Sequence, residues 1–561
     1  MKILIIGAVA AGTSAAAKAR RNSEEAEIKI YEKDRFISYS GCGMPYYLGG
    51  QVAEVEDLTP RDPAFFKEKY NVDILTRHEV MDINPAKKIL TVKNLETGDV
   101  FEDSYDKLVV ATGATSIIPP IKGAAGANVF ALRNINDMIK IYDFIARAQP
   151  QNAVIIGTGF IGLEVCESLV ARGISTILVE KLPQVAPGLD AEVASYVQAH
   201  IEKHGTRVIT SAEIVEIASA HVSLADGTQL PAELVIMATG VRPEVSLAKA
   251  AGIALGATGA IKVDAEMKTN FPDIYACGDC IEQFQSTTGA AIYRPLGSTA
   301  NKTGRIAGDS MTGGDLTFQG VLGTGIFRIF GLAVAQTGLT EREATAQGFD
   351  VVTCINIKPS KPEYMGGKEM VIKAVAEQGS GRLLGAQIIG EDGVDKRIDV
   401  FVTAITFGAT AGALAHLDLA YAPPFSTTKD PVMYTGMILE NVLHRGRPLM
   451  TASTLATLIE AGEAVNLIDA RVATQYAKEH IRGAESIPLE NLRAAAAAPP
   501  APTSDSTPAP ATILDKEAIT VTYCNKGVTG NAAQNILLHS GFKRVYNLSG
   551  GFKNYKKTKK V

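Results

Sequence analysis

The sequence predicts an α/β chain: two doubly wound parallel-sheet nucleotide folds, then an α+β unit, then a smaller α/β unit. Three observations predict it. Residues 2–32 read as strand, glycine turn, Ala-rich helix, strand and acidic end, and the same grammar returns over 152–180. Two buried-strand runs, 108–113 and 234–240, both end in Ala-Thr-Gly, each closing one of the repeated units. From about residue 320 the texture becomes strands broken by glycine, and near 447 a new strand-and-turn unit begins. The 561 residues are enough for two to four domains.

Composition narrows the function classes. Hydrophobic residues at 46% and charged residues at 20% exclude a wholly disordered chain. A net charge of −5 and no run of five basic residues disfavour nucleic-acid or membrane-surface binding. Six scattered cysteines do not make a disulfide framework and suit a reducing compartment. No signal-peptide pattern opens the chain and no apolar run is long enough to span a membrane, so the expected location is the cytoplasm. No Cys/His cluster has zinc-site spacing, so no metal is expected.

In the first unit, Gly7-Ala8-Val9-Ala10-Ala11-Gly12 is a shortened dinucleotide fingerprint, with Ala11 where a glycine is common. A tight turn lets backbone reach a pyrophosphate at the positive end of the next helix. Glu32 closes the following strand, placed for a ribose hydroxyl. In the second unit, Gly157-Thr158-Gly159-Phe160-Ile161-Gly162 is the full fingerprint and Glu180 its acidic end. A carboxylate there accepts a free 2′-hydroxyl and repels a 2′-phosphate, favouring NADH over NADPH, with Lys181 as a partial offset.

These motifs, with Ile274-Tyr275-Ala276-Cys277-Gly278-Asp279, resemble the flavin-dependent pyridine nucleotide–disulfide oxidoreductases over residues 1 to about 445. The resemblance implies FAD at the first fingerprint, NADH (NADPH left open) at the second, and Asp279 at the flavin's ribitol. It assigns to cofactor binding Gly7, Ala10, Ala11, Gly12, Glu32, Lys33, Ser40, Ala111, Thr112, Gly113, Gly278 and Asp279, and, on the second fold, Gly157, Gly159, Phe160, Ile161, Gly162, Glu180 and Gly240. Cys277 and Cys280 read as small structural residues. The implied boundaries are 1–112 with 243–320 for FAD, 113–242 for NAD(P)H, 321–446 for dimerisation and 447–561 for the last domain.

Ser40-Gly41-Cys42-Gly43-Met44-Pro45-Tyr46-Tyr47 carries one cysteine where two-cysteine members carry a pair. It resembles the single-cysteine branch: coenzyme A-disulfide reductases, persulfide and polysulfide reductases, NADH oxidases and peroxidases. A lone thiolate must pair with an external sulfur or oxygen to be oxidised. Oxidases and peroxidases of the branch carry a histidine in the first glycine turn; here Ala10 stands there. Tyr421, in Tyr-Ala-Pro-Pro-Phe, and Tyr364 match tyrosines that reach the partner subunit's cysteine, implying a homodimer. Coenzyme A as a ligand needs cations and polar contacts, for which Arg20, Arg21, Ser38, Lys69, Asn301 and Arg305 are candidates.

The stretch from Leu467-Ile468-Asp469-Ala470-Arg471 through Cys524-x-x-Gly527 to Gly550-Gly551 resembles rhodanese-like sulfurtransferases. That implies Cys524 as a carrier of sulfane sulfur in a loop of backbone N–H groups. Thr529 stands where the family's loop commonly has arginine, leaving Lys526 to supply the charge. The Ala/Pro-rich segment 494–512 is expected to be a flexible insertion. The leading reading is an NADH-dependent flavoprotein reductase of persulfide, polysulfide or coenzyme A persulfide. Coenzyme A-disulfide reductase, NADH oxidase and a non-catalytic redox-sensing or sulfur-carrier protein stand beside it.

Overall fold

Lys2–Ile6 is apolar after its lysine because the strand it forms is buried from Ile3 onward, as parallel strands covered on both faces are. The computed structural model describes residues 1–497 and 515–558. The chain divides into two compact units, Met1–Pro183 with Thr206–Gly323, and Gln184–Gly205 with Thr324–Val561.

The first unit holds two five-stranded parallel sheets. One runs Ile274–Ala276, Lys107–Val110, Lys2–Ile6, Glu27–Glu32, Asp73–Thr76. The other runs Arg207–Ile209, Ser175–Val179, Asn152–Ile156, Leu234–Met237, Val129–Ala131. In both, the fingerprint strand is central and feeds a helix, Ala10–Asn22 or Phe160–Ala171. In both, the strand ending in Ala-Thr-Gly lies beside it.

The second unit begins with an antiparallel sheet in the order Gly325–Ile329, Leu332–Gly338, Leu383–Gly390, Glu369–Glu377, Val351–Pro359. Helices Val394–Thr406 and Pro431–His444 pack on it. Lys373 is buried in this sheet and meets Asp190 at 3.3 Å, Glu192 at 3.0 Å and Glu341 at 2.5 Å. Burial pulls its ammonium down, but Glu192, Asp190 and Glu341 outweigh that and hold it above the usual lysine range. A parallel sheet follows: Leu449–Met450, Arg544–Leu548, Ile519–Tyr523, Val465–Asp469, Glu485–Ser486.

Of the segment expected to be flexible, residues 494–497 are ordered: they close the helix Leu489–Ala497, with Ala496 buried. Alanine is the strongest helix former, so a run of it prolongs a helix already begun. Residues 498–512 lie outside the described residues. Among the described residues no helix is long and apolar enough to cross a membrane.

Candidate functional site

The two fingerprints are built alike. Gly7 and Gly157 have φ of +103° and +97°, a region that favours glycine. A Cβ on Gly7 would lie 2.3 Å from the Ala111 carbonyl oxygen, and one on Gly157 2.5 Å from that of Ala238. The Ala-Thr-Gly turns therefore back the glycine turns. Thr112 and Thr239 each donate at 2.6 Å to a carbonyl, of Glu244 and Ile117. A Cβ on Gly12 would fall 1.9 Å from the Gly7 oxygen, and one on Gly162 2.3 Å from that of Gly157. Gly159 is different: among the described residues nothing lies within 4 Å of where its Cβ would be, and Ile161 beside it is exposed.

Ala11 in place of glycine is compensated across the fold. A Cβ on Gly278 would come 2.7 Å from Ala11 Cβ, and one on Gly304 2.3 Å from the Ala11 oxygen. The helix Gly297–Ser310 thus supplies the smallness that the turn lacks.

The acidic ends are not solvated strand ends. Glu32 Oε2 accepts from Ala8 N at 2.8 Å and Oε1 from Asp34 N at 2.9 Å. Glu180 Oε2 accepts from Thr158 N at 2.9 Å and Thr158 Oγ1 at 2.7 Å, and Oε1 from Leu182 N at 3.0 Å. Both are buried and tie the glycine turn to the next strand. Burial pushes the Glu32 carboxyl up, against the pull of the Asp34 and Ala8 N–H groups. Lys181 pairs with Glu213 at 2.9 Å, which engages the cation expected to offset Glu180.

A cavity of about 730 Å³ runs along the first fold. Gly7, Ala10, Ala11, Glu32 and Lys33 line one part, and Ala111, Thr112, Gly113, Gly278 and Asp279 another. Its carboxylate, its glycine turn and its Gly-Asp corner fit a flavin dinucleotide, with backbone approach secured by the glycines that no Cβ could replace. Gly12 serves by packing beneath the turn. Ser40 N donates to the Leu58 oxygen at 2.8 Å and shapes the cysteine loop instead of the cavity wall. Arg133, which the sequence reading missed, lines the cavity and pairs with Asp279 at 2.8 Å while donating to the Ala114 oxygen at 2.9 Å.

A second cavity of about 430 Å³ shares Val9, Ala10 and Tyr39 with the first. Arg21, Ser38, Asn301 and Arg305 line it as a coenzyme A reading requires, joined by the unanticipated Arg61, whose guanidinium sits 5.6 Å from the Phe65 ring. The alternation of cations and aromatics over 61–70 was the available signal. Arg20 is a correction. It is buried, and its guanidinium donates to the carbonyls of Tyr70, Ser23, Glu24, Ala26 and Asn71, so it holds the fold together. Lys69 is a second correction: it packs over Phe65 and Tyr70 and does not line the cavity.

Cys42 sits in the short turn Gly41–Gly43 ahead of the helix Met44–Leu48. It is exposed, whereas the other five cysteines are buried. Although the residue reaches the surface, partial burial of its sulfur pushes the thiol up, Glu164 and Asp279 push it further, and Arg133 pulls it down. Glu164 accepts from Tyr46 Oη at 3.2 Å, and burial pushes its carboxyl up to about 7. Above that pH its charge opposes the Cys42 thiolate; below it the carboxyl is neutral. Glu164→Gln is therefore expected to speed alkylation of Cys42 by about two- to fivefold at pH 8. The ratio should fall toward one at pH 6, and a ratio independent of pH would count against the coupling. Cys277 and Cys280 are fully buried, and Cys280 Sγ donates to the Cys277 oxygen at 3.2 Å. Among the described residues no His/Cys/Asp/Glu group could hold a metal ion.

In the second unit, Tyr364 and Tyr421 are 77% and 48% exposed, and Phe425 beside Tyr421 is 69% exposed. Cys524 follows the strand Ile519–Tyr523 and is buried; Gly527 N, at a φ of +97°, donates to its sulfur at 3.2 Å. Asp469 and Arg471 form a buried pair below the loop, at 2.5 Å. Lys526, expected to supply the missing charge, is instead paired with Glu369 of the antiparallel sheet.

Comparison with known proteins matches these parts in order. The model of the pyridine nucleotide-disulphide oxidoreductase family covers residues 1–292, that family's dimerisation domain 326–431, and the rhodanese-like domain 451–558. Bacillus anthracis CoADR-RHD is similar at 35% identity and a TM-score of 0.94, over 99% of this chain and 98% of that one. A NAD-dependent persulfide reductase from A. fulgidus is similar at 35% identity and a TM-score of 0.89, over 99% of this chain and 100% of that one. An NADH oxidase from Methanocaldococcus jannaschii is 36% identical over 437 residues, 77% of this chain and 97% of the relative. The chain is an FAD- and NAD(P)H-dependent member of the pyridine nucleotide-disulphide oxidoreductase family, with a rhodanese-like domain following its dimerisation domain.

Proposed function

We propose that the chain reduces persulfides and polysulfides, coenzyme A persulfide among them, with NADH as electron source. The observation that carries this reading is the pairing, in one chain, of an exposed cysteine with a second thiol whose sulfur accepts from the Gly527 N–H of its own loop. A solved structure that matches nearly the whole chain, rhodanese-like part included, is named a NAD-dependent persulfide reductase.

Glu32, Gly7 and Asp279 would hold a flavin, which would supply two-electron transfer between a nicotinamide and sulfur, and Gly159 and Gly162 would admit the nicotinamide nucleotide to the second fold. Cys42 attacks the inner sulfur of a persulfide R–S–SH; the Cys42–S–S–R bond forms and hydrosulfide leaves. The mixed disulfide then takes up two electrons, returning the Cys42 thiolate and releasing the thiol R–SH. Arg21, Arg61 and Arg305 suit the phosphates of a coenzyme A carrier. Cys524 accepts or delivers the sulfane sulfur. The exposed Tyr364 and Tyr421 serve Cys42 of a partner subunit in a homodimer, where a phenol donates a hydrogen bond to the departing thiolate.

Stopped-flow oxidation of the NADH-reduced enzyme tests this. Persulfide and polysulfide are expected to react at least about tenfold faster than coenzyme A disulfide or O2, with turnover within the usual enzymatic range of about 1–1000 per second. Faster reaction with coenzyme A disulfide would make that the substrate. Faster reaction with O2 would make the chain an oxidase like the M. jannaschii relative, which lacks a counterpart to roughly a quarter of this chain. Turnover below about 0.01 per second on every acceptor would point to a sensor or carrier.

A further inference from the structure

Lys358 lies near the end of the strand Val351–Pro359, in the dimerisation domain. Its ammonium stands 3.8 Å from the centroid of the Tyr434 ring. With Tyr434, Arg447, Lys526 and Gly527 it lines a cavity of about 220 Å³ that abuts the Cys524 loop. Two of the three cations there are already engaged. Lys526 pairs with Glu369, which Lys553 also holds at 2.7 Å. Arg447 donates to Asn535 and, at 2.9 Å, to the Arg445 carbonyl. Lys358 has no carboxylate at ion-pairing distance among the described residues. Burial pulls its ammonium below the usual lysine range, and Lys526 and Lys429 push the same way; Cys524 is the group that acts in the opposite sense. A cation drawn partly out of water is costly unless an anion matches it. Gly527, which lines the same cavity, donates its N–H to the Cys524 sulfur at 3.2 Å and so ties that sulfur to the cavity's edge.

We propose that Lys358 is the positioning cation of Cys524: a lysine lent by the dimerisation domain holds the rhodanese-like loop's sulfur as thiolate. Thr529 has no charge with which to do this, and the Lys526 ammonium is turned to Glu369. The ring of Tyr434 keeps the lysine stem in place and favours its charge. The reactivity of the last domain is thereby tied to the domain before it. The proposal concerns the thiol alone and stands whichever sulfur acceptor the enzyme uses.

The test is peptide-resolved alkylation of Cys524 by iodoacetamide in the full-length flavoprotein, from pH 6 to 9. Lys358→Met, which keeps an apolar stem against Tyr434, is expected to slow alkylation about tenfold at pH 7.5 and to move the pH profile upward. Lys358→Arg should stay within about twofold of wild type, and Lys526→Gln should have little effect. A Lys358→Met profile superimposed on wild type would overturn the proposal. So would equal slowing at every pH, which marks a structural role, or a Lys526→Gln effect as large as that of Lys358→Met.

Discussion

Replacing Cys42 by serine is expected to cut NADH-dependent sulfide release from a persulfide by about three to four orders of magnitude. Serine keeps the size of the side chain, but its hydroxyl neither ionises near neutral pH nor forms a bond to sulfur that two electrons can break. No other thiol of the first unit can stand in. Cys166, Cys277 and Cys280 are buried, and burial pushes Cys166 up to about 12 and Cys280 up to about 11. Electron entry should survive, because Cys42 belongs to neither glycine turn. Addition of NADH should still bleach the visible flavin absorbance of Cys42→Ser at close to the wild-type rate. Undiminished sulfide release would remove Cys42 from the reaction; loss of bleaching as well would show that the substitution had damaged the nucleotide sites.

What the sequence made legible was what backbone geometry demands of a residue type. Gly7, Gly12, Gly157 and Gly162 stand where a single added carbon would meet a carbonyl oxygen, so only one residue fits and the motif is readable. The paired Ala-Thr-Gly turns were visible as a repeat, yet their purpose, to back the first glycine of each fingerprint, needed the sheets assembled. Charges were far less readable. Arg20 and Arg21 are adjacent on one helix, and one is enclosed by five carbonyls while the other faces a cavity. The residue types alone do not separate them, because the enclosure joins the carbonyls of residues 23, 24 and 26 to those of residues 70 and 71 arriving from elsewhere. Lys526 and Glu369 likewise meet only because a strand of one domain passes beside the loop of another. Arg133 was missed for the same reason: Asp279, its partner, sits at the end of a strand paired far along the chain.

Alanine at Gly12 and alanine at Gly162 are expected to fail in different ways, and the difference tests which nucleotide each fold holds. At Gly12 the new methyl falls 1.9 Å from the Gly7 oxygen, against the turn that faces the 730 Å³ cavity. The turn must move, and overpacking of this kind costs about 1–3 kcal/mol or more. Gly12→Ala should therefore be isolated without flavin and with lowered thermal stability. At Gly162 the methyl falls 2.3 Å from the Gly157 oxygen and 3.1 Å from Ala238 Cβ, a clash of the same kind in a sheet that shares no strand with the first. Gly162→Ala should stay yellow, while the NADH concentration needed to bleach it rises by about one to two orders of magnitude, the loss expected when a binding turn is displaced by about 1.4–2.8 kcal/mol. Chemical reduction by dithionite should remain normal in Gly162→Ala, which separates a lost NADH site from a damaged flavin site. If Gly162→Ala lost its flavin while Gly12→Ala kept it, the assignment of the two folds would be reversed. The two turns have nearly equal φ angles, the same backing by Ala-Thr-Gly and buried carboxylates, so the same clash at each should report the nucleotide that each fold holds.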